Sequence, residues 1–214
     1  PVELRGFRGS GIQDGALVAP EIRVRPGQRL RVGIDNQLPV CPEGLEAAPC
    51  YNDTNLHTHG LWVSPSGNSD NVMLTIRPGE RFQYAYDIPA DHPAGTFWYH
   101  PHCNTLTQMG RGLAGVLVVE DDRDPVFDGE VVLNLRDFRL GGDSQFIEQF
   151  KPRDAAKTGT FGTLRTANWQ PEPRYDVPAG GLVRVRILAA DVTRIYNLKL
   201  AGAEAQIIAI LRQA

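Results

Sequence analysis

Two short stretches decide how this sequence is interpreted: residues 55–62 read Asn-Leu-His-Thr-His-Gly-Leu-Trp, and residues 95–102 read Gly-Thr-Phe-Trp-Tyr-His-Pro-His. Each contains a His-x-His pair, His57 with His59 and His100 with His102. In a β-strand, side chains two residues apart point to the same face, with their Cα atoms about 6.8 Å apart. We therefore expect both pairs to lie on strands, each aiming two imidazoles at one side of a sheet.

If these two strands are neighbours, four imidazoles converge on one patch. Imidazole is a ligand for copper, zinc, iron and nickel, and copper stands at the top of the affinity order. All five histidines of the chain fall between residues 57 and 102, which is not the spread expected of scattered core or surface residues. The fifth, His92, lies in a turn before an aromatic strand, and we interpret it as a structural or exposed histidine.

Outward from these stretches, the chain is dominated by strand patterns. Residues 21–25 and 30–34 alternate apolar and polar side chains around a Pro26-Gly27 turn, and residues 81–86 alternate again. Residues 113–120 are apolar up to Val119, which is typical of a strand buried on both faces. Many short strands joined by turns, in a chain with 22 glycines and 16 prolines, predict an all-β sandwich or barrel.

A polar stretch ending in proline, residues 121–125, is the best domain boundary, and it predicts one domain over residues 1–121 and a second over 122–214. In the second domain we expect a strand at 130–135 and a short helix near 144–150. Residues 177–187 repeat the turn-and-strand pattern of residues 24–32.

The second domain is expected to be incomplete. Its last predicted strand, residues 205–211, runs to the end of the chain. An unfinished sheet would expose unpaired backbone groups, which favours a homo-oligomer formed through that edge.

Composition excludes two classes of function. Lys and Arg number 22 against 25 Asp and Glu, a net charge of −3, so nothing indicates a nucleic-acid surface. The longest apolar run, residues 113–119, is far shorter than the roughly 20 residues of a membrane-spanning helix. The first residues have no apolar signal core, and we expect any export signal to have been removed already.

The two His-x-His strings, together with Gly-Leu-Ala-Gly at residues 112–115, resemble the first domain of the multicopper oxidases, the family of laccases, bilirubin oxidase and bacterial copper-resistance oxidases. The resemblance implies Greek-key β-sandwich (cupredoxin-like) domains, one complete and a second begun. It also implies copper as the cofactor. Members of this family take single electrons from a reductant and reduce dioxygen to water at a cluster of one type 2 and two type 3 coppers.

By motif position, the resemblance implies His57 as a type 2 ligand, His59 and His100 as ligands of one type 3 copper, and His102 as a ligand of the other. The family cluster uses eight histidines, so this chain would supply half of them and would be inactive alone. The implied location is periplasmic or secreted. The reductant stays open among phenols, tetrapyrroles and metal ions, because no type 1 copper site is recognisable in the sequence.

Asp70 lies in the loop after the first histidine pair, where the family carries an acidic residue near the type 2 copper. Dioxygen reduction consumes four protons, so one interpretation is a proton donor or relay. The other is an ordinary turn residue beside Asn68 and Asn71. Asn71 stands where the family often has glycine.

Cysteine and aromatic residues give weaker signals. Cys41 and Cys50 flank a short Pro/Gly-rich loop that favours a disulfide in an oxidising compartment, although two unpaired residues remain the alternative. Cys103 lacks flanking histidines and is interpreted as a free or buried thiol. The aromatic residues Trp62, Trp98 and Tyr99 are expected in the core or as walls of the metal cluster.

Two other functions remain open for the chain as a whole. One is a copper-binding module without turnover, and the other is a metal-free structural protein of the same fold. A hydrolase with zinc or two metals is disfavoured, because no bridging carboxylate accompanies the histidine pairs.

Overall fold

A computed structural model describes residues 4–9, 19–40, 52–141, 152–157, 159, 161–192 and 194–210. The chain divides into two compact units, Glu3–Pro125 and Val126–Ala214. Within the described residues there are nine strands and two short helices. The all-β prediction is therefore confirmed.

The larger sheet of the first unit contains the histidine motifs. Its strand order is β1 (Ile22–Val24), β6 (Gly115–Val119), β5 (Gly95–His100) and β3 (His57–His59). β1 runs parallel to β6, and the other two pairings are antiparallel. Every residue of β6 is buried, as its continuous apolar run predicts.

A second sheet in this unit pairs β2 (Arg29–Asp35) with β4 (Arg81–Asp87) in antiparallel register. Its outer face carries an ion pair at each end, Arg29 with Asp87 at 2.8 Å and Arg81 with Asp35 at 2.9 Å. Its inner face carries Tyr84 and Tyr86, which are fully buried. Gly27 precedes β2 with φ of 80°, a conformation that favours glycine and explains the sharp turn after β1.

Helix α1 (Thr105–Gly110) follows the second histidine pair and was not predicted from the sequence. Its Gln108 side chain is completely buried and anchors the helix to the segment before β3. The Gln108 amide donates to the Asp53 carbonyl at 2.6 Å, while its oxygen accepts from the Thr54 hydroxyl at 2.8 Å. The anchor depends on partners more than fifty residues away in sequence, which local patterns do not show.

The second unit contains a three-stranded sheet with β7 (Gly129–Phe138) at its centre. β8 (Leu164–Ala167) pairs with β7 antiparallel, and β9 (Val183–Ala189) pairs with it parallel. The short helix α2 (Pro152–Ala155) lies between β7 and β8 in sequence. Gly180 has φ of 73° just before β9, which matches the turn geometry of Gly27 before β2.

One strand prediction is wrong. Residues 205–210 lie outside every strand, and Ile207, Ile208 and Ile210 are 62–81% exposed. The apolar sequence suits a strand, but a strand also requires a hydrogen-bonded neighbour, and none of the described strands pairs with this segment. The predicted edge at residues 205–211 is therefore not formed over its described part.

Some predictions fall on residues outside the described part of the chain. These are the Cys41–Cys50 disulfide and the helix near residues 144–150.

In the described residues, neither helix approaches the length and apolarity that crossing a membrane requires.

Gly115 gives a test of the packing beneath the strands that carry the histidine motifs. A Cβ added there would overlap the ring of Tyr99, which is 2% exposed and donates its hydroxyl to the Pro20 carbonyl. We expect Gly115→Ala to lower the free energy of unfolding by about 1–3 kcal/mol, the usual effect of overpacking a core. Denaturant unfolding followed by aromatic fluorescence measures this.

Gly33→Ala is the matched control, since this strand glycine is exposed and its added Cβ would meet only the flexible end of Gln83, at 3.4 Å. Equal losses of stability in the two variants would show that Gly115 is not packed tightly against the Tyr99 ring.

Candidate metal centre

The register between β3 and β5 brings the histidine motifs together. His57 lies opposite His100, and His59 lies opposite Trp98. Because alternate residues share a face, these four side chains project from the same side of the strand pair. On the other side, Thr58 and Tyr99 lie opposite each other and are 1% and 2% exposed, so that face belongs to the core.

Three imidazoles form a tight group. His57, His59 and His100 each offer a ring nitrogen, and these nitrogens all lie within 4.8 Å of one another. Within this group, Nδ1 of His59 lies 3.4 Å from Nε2 of His100. Two nitrogens that share one tetrahedral metal with bonds of about 2.0–2.1 Å would be about 3.3 Å apart. The observed separation fits that geometry.

His102 differs from the other three histidines, and the prediction that both pairs lie on strands is wrong for it. β5 ends at His100, and His102 lies in the bend that follows, with an exposed side chain. Pro101 has no backbone N–H and does not extend the strand ladder. The His102 ring still faces the group, with its centre 5.6 Å from that of His57 and the two planes nearly perpendicular.

Hydrogen bonds fix which nitrogen of two rings is available for a metal. Nδ1 of His100 lies 2.9 Å from the Pro101 carbonyl, which only accepts, so Nδ1 carries the proton and Nε2 keeps its lone pair. Nδ1 of His57 lies 2.9 Å from a carboxylate oxygen of Asp70, which leaves Nε2 of His57 free in the same way.

Burial keeps two of these imidazoles neutral. It lowers the pKa of His100 to about 4, against a smaller opposing effect of the Pro101 carbonyl, and the neighbouring histidines lower it further. Burial also lowers the pKa of His59, with an additional contribution from His57. A metal binds the deprotonated ring, so imidazoles that are neutral at pH 7 are suited to ligation.

Asp70 occupies a defined position beside His57. One carboxylate oxygen contacts Nδ1 of His57, and the other accepts the backbone N–H of Thr58 at 2.8 Å. The turn geometry considered for Asp70 belongs instead to Asn71, whose side-chain oxygen accepts the backbone N–H of Met73 two residues later. Asp70 therefore ties the loop after β3 back onto the strand.

Aromatic neighbours divide between the cluster and the rest of the unit. Trp98 stacks on His100 and His59, with ring centres 4.2 Å and 4.9 Å apart, and so forms one wall of the group. Tyr99 is in the core, as expected. Trp62 is 52% exposed and packs beside His92 rather than in the core or on the cluster, which corrects its predicted position.

His92 has a structural role. It is 3% exposed, its Nε2 accepts the backbone N–H of Trp62 at 3.1 Å, and its Nδ1 donates to the Pro93 carbonyl at 2.8 Å. Both ring nitrogens are therefore used within the protein. His92 does not join the three-histidine group.

Cys103 is a free, half-buried thiol, as the sequence indicates. Burial raises its pKa, and its sulfur lies 3.8 Å from the Leu74 carbonyl. It therefore resembles a small packing residue rather than a thiolate ligand.

Sequence reasoning missed two residues that support the histidine strands. Asn55 is 1% exposed and accepts the backbone N–H groups of His102 and Cys103. The Tyr84 hydroxyl on β4 accepts the backbone N–H of Leu56, just before β3, at 3.0 Å. Asn55 lies inside the first motif string, but nothing in its spacing shows partners almost fifty residues away.

Comparison with known proteins identifies the family. Residues 8–124, more than half of the chain, match the family model described as multicopper oxidase. This chain belongs to the multicopper oxidases. The predicted family is confirmed, and copper is confirmed as the cofactor that the family implies.

Individual relatives agree with this assignment. An iron transport multicopper oxidase of Candida albicans is 35% identical to this chain in the aligned region. That region covers 72% of this chain and 24% of the Candida protein. Laccase-1 of Thanatephorus cucumeris is 33% identical over 94% of this chain and 36% of its own length. The chain thus spans 24% and 36% of the lengths of these two curated relatives.

Solved structures support the fold. A multicopper oxidase from Pseudomonas thermotolerans superposes with a TM-score of 0.72 and 37% identity, over 87% of this chain and 42% of that protein. One from Pseudomonas parafulva gives a TM-score of 0.60 and 30% identity over 81% of this chain. The cupredoxin-like β-sandwich prediction is confirmed.

The histidine group fits copper by the chemistry of its donors. Its nitrogens come from imidazoles, which copper prefers over hard oxygen ligands. Two of the rings have their other nitrogen bonded to protein oxygens, the arrangement that orients ligating histidines in metal sites.

Asp70 provides a test of the group's support. We expect Asp70→Ala to lower the free energy of unfolding by about 1–3 kcal/mol, because it leaves the buried N–H of Thr58 without its acceptor. Denaturant unfolding of the metal-free chain measures the loss. In the control Asp87→Ala, which removes an exposed ion pair with Arg29, the loss should stay below about 1 kcal/mol. The same loss in both variants would show that Asp70 is not a buried anchor.

Proposed function

We propose that this chain supplies four imidazoles to the copper cluster of a multicopper oxidase. His57 would bind the type 2 copper, His59 and His100 one type 3 copper, and His102 the other. The observation that carries the proposal is the approach of His59 Nδ1 to His100 Nε2 at 3.4 Å, within a group of three histidines whose ring nitrogens lie within 4.8 Å of one another.

Family membership supports the proposed reaction. When bound, the copper ions carry electrons one at a time from a reducing substrate to dioxygen, which is reduced to water. The proposed reductant is a phenol, a tetrapyrrole or a metal ion, and the proposed location is the periplasm or the exterior of the cell. The remaining histidines of the cluster would come from outside these 214 residues.

The residues of this chain would orient the histidine ligands, and one of them would transfer protons to the cluster. The β3–β5 ladder fixes three imidazoles, and Trp98 restricts the rotation of two of them. Asp70 fixes the tautomer of His57 by accepting a hydrogen bond from its Nδ1–H. Its side chain is 11% exposed, so the carboxylate also lies where a proton could pass from solvent towards the cluster.

Copper binding tests the ligand assignment. We expect the 214-residue chain to bind Cu(II) weakly, with nitrogen hyperfine structure in its electron paramagnetic resonance spectrum. His100→Ala should weaken binding by about tenfold or more, since even the loss of an outer partner of a ligand has that effect.

The matched control is His92→Gln, which changes a buried histidine outside the group. Its copper affinity should equal that of the wild type. If His100→Ala bound copper as tightly as His92→Gln, the cluster assignment would be wrong.

The chain alone is expected to lack oxidase activity. Four imidazoles shared among three copper positions leave each position short of the three or four protein ligands that hold catalytic metals tightly. We expect no blue thiolate–copper absorbance and no steady oxygen uptake with a phenolic substrate. Sustained oxygen consumption by the 214-residue chain, above that of free copper, would refute this.

A further inference from the structure

Asn55 makes four hydrogen bonds from a completely buried position beside the histidine group. Its side-chain oxygen accepts the backbone N–H of His102 at 2.6 Å and that of Cys103 at 3.0 Å. Its side-chain nitrogen donates to the carbonyls of Val72 at 2.9 Å and Leu74 at 3.0 Å. These bonds use the amide's two donors and two acceptor sites completely.

The backbone at His102 depends on the Asn55 hydrogen bonds more than the backbone at the other three histidines does. His57, His59 and His100 lie on paired strands, so the β3–β5 ladder holds their backbone. His102 lies beyond the ladder, after a proline. Its N–H has Asn55 as acceptor, and its carbonyl accepts the Thr105 hydroxyl at 2.8 Å.

Asn55 also connects the two halves of the site. It lies two residues before His57, in the first motif string, and it holds the second string at His102. Its donors bind carbonyls of the loop between β3 and β4, which also contains Asp70, the residue that orients His57. One side chain therefore couples the His102 bend to the loop that supports His57.

We propose that Asn55 is a positioning residue that sets the His102 imidazole against His57 and so determines whether the fourth ligand can join the other three. The inference rests on the proposed function for its consequence in copper binding, but the positioning itself is a property of the metal-free chain. Losing the Asn55 side chain should displace His102 and leave the other three rings in place. The two freed N–H groups, which lie in part-buried contacts, would then need new acceptors, because donors shielded from water are costly to leave unpaired.

The first test uses no metal. In the chain labelled with ¹³C-histidine, we expect nuclear Overhauser contacts from the His57 ring to those of His102 and His100, whose centres lie at 5.6 Å and 5.1 Å. Asn55→Ala should abolish the contact between His57 and His102 and preserve the one between His57 and His100. Asn55→Leu, which has the same number of side-chain heavy atoms and no polar group, should do the same and replaces Asn55→Ala if the alanine variant does not fold.

Two further variants separate positioning from a general loss of stability. Asn55→Asp keeps an oxygen for the N–H groups of His102 and Cys103, so the His57–His102 contact should return. Asn36→Ala removes another buried amide, 2% exposed, that bonds the Asn52 and Ile76 carbonyls instead of the histidine segment. It should leave both ring contacts unchanged.

The inference is overturned if the His57–His102 contact persists in folded Asn55→Ala or Asn55→Leu. It is also overturned if that contact is lost in Asn36→Ala, or if it is absent in folded Asn55→Asp. The second measurement is Cu(II) titration, in which Asn55→Ala should bind about tenfold or more weakly than Asn36→Ala. Equal affinities would show that positioning does not matter for the metal. If the wild-type chain bound no copper, the proposed function would fail, while the metal-free ring contacts would still decide the role of Asn55.

Discussion

The antiparallel register of β3 and β5 is the constraint on which the site depends. It places His57 opposite His100 and His59 opposite Trp98. A shift of one residue would turn these side chains towards the core and bring Thr58 and Tyr99 to the outer face, because side chains alternate along a strand. The core therefore enforces the site: Tyr99 is buried against Gly115 on β6, and that packing fixes the face on which the histidines project.

Buried polar side chains fix the conformation of the loops around the histidine strands. The ladder at β3 is only three residues long, too short to hold the surrounding loops by backbone bonds alone. Asn55, Asp70 and Tyr84 supply the missing connections, each bonding a backbone N–H of the motif segments. Such bonds contribute modestly to stability when formed, but leaving their buried donors unpaired is costly, so they define the loop conformation strictly.

Burial holds two rings of the site, His59 and His100, neutral. Burial of His100 lowers its pKa, and a charged imidazole beside two others would add repulsion. The same environment suits a metal cation, which replaces the proton as the partner of each lone pair. The histidine group is thus arranged for a cation before one binds, with tautomers set by the Pro101 carbonyl and the Asp70 carboxylate.

The sequence by itself determined the strand pattern, the two His-x-His pairs and the family, because alternation and motif spacing are local properties that survive without knowledge of partners. It placed His57, His59 and His100 correctly on strands. It misplaced His102 and Trp62, and it predicted a strand over residues 205–211 that is not formed where it is described. Only the tertiary structure decided the bend at His102, the contact of Asp70 with His57 and the bonds of Asn55. Each of these depends on atoms 12 to 48 residues apart in the chain, and long-range hydrogen bonds leave no periodic signal in a single sequence.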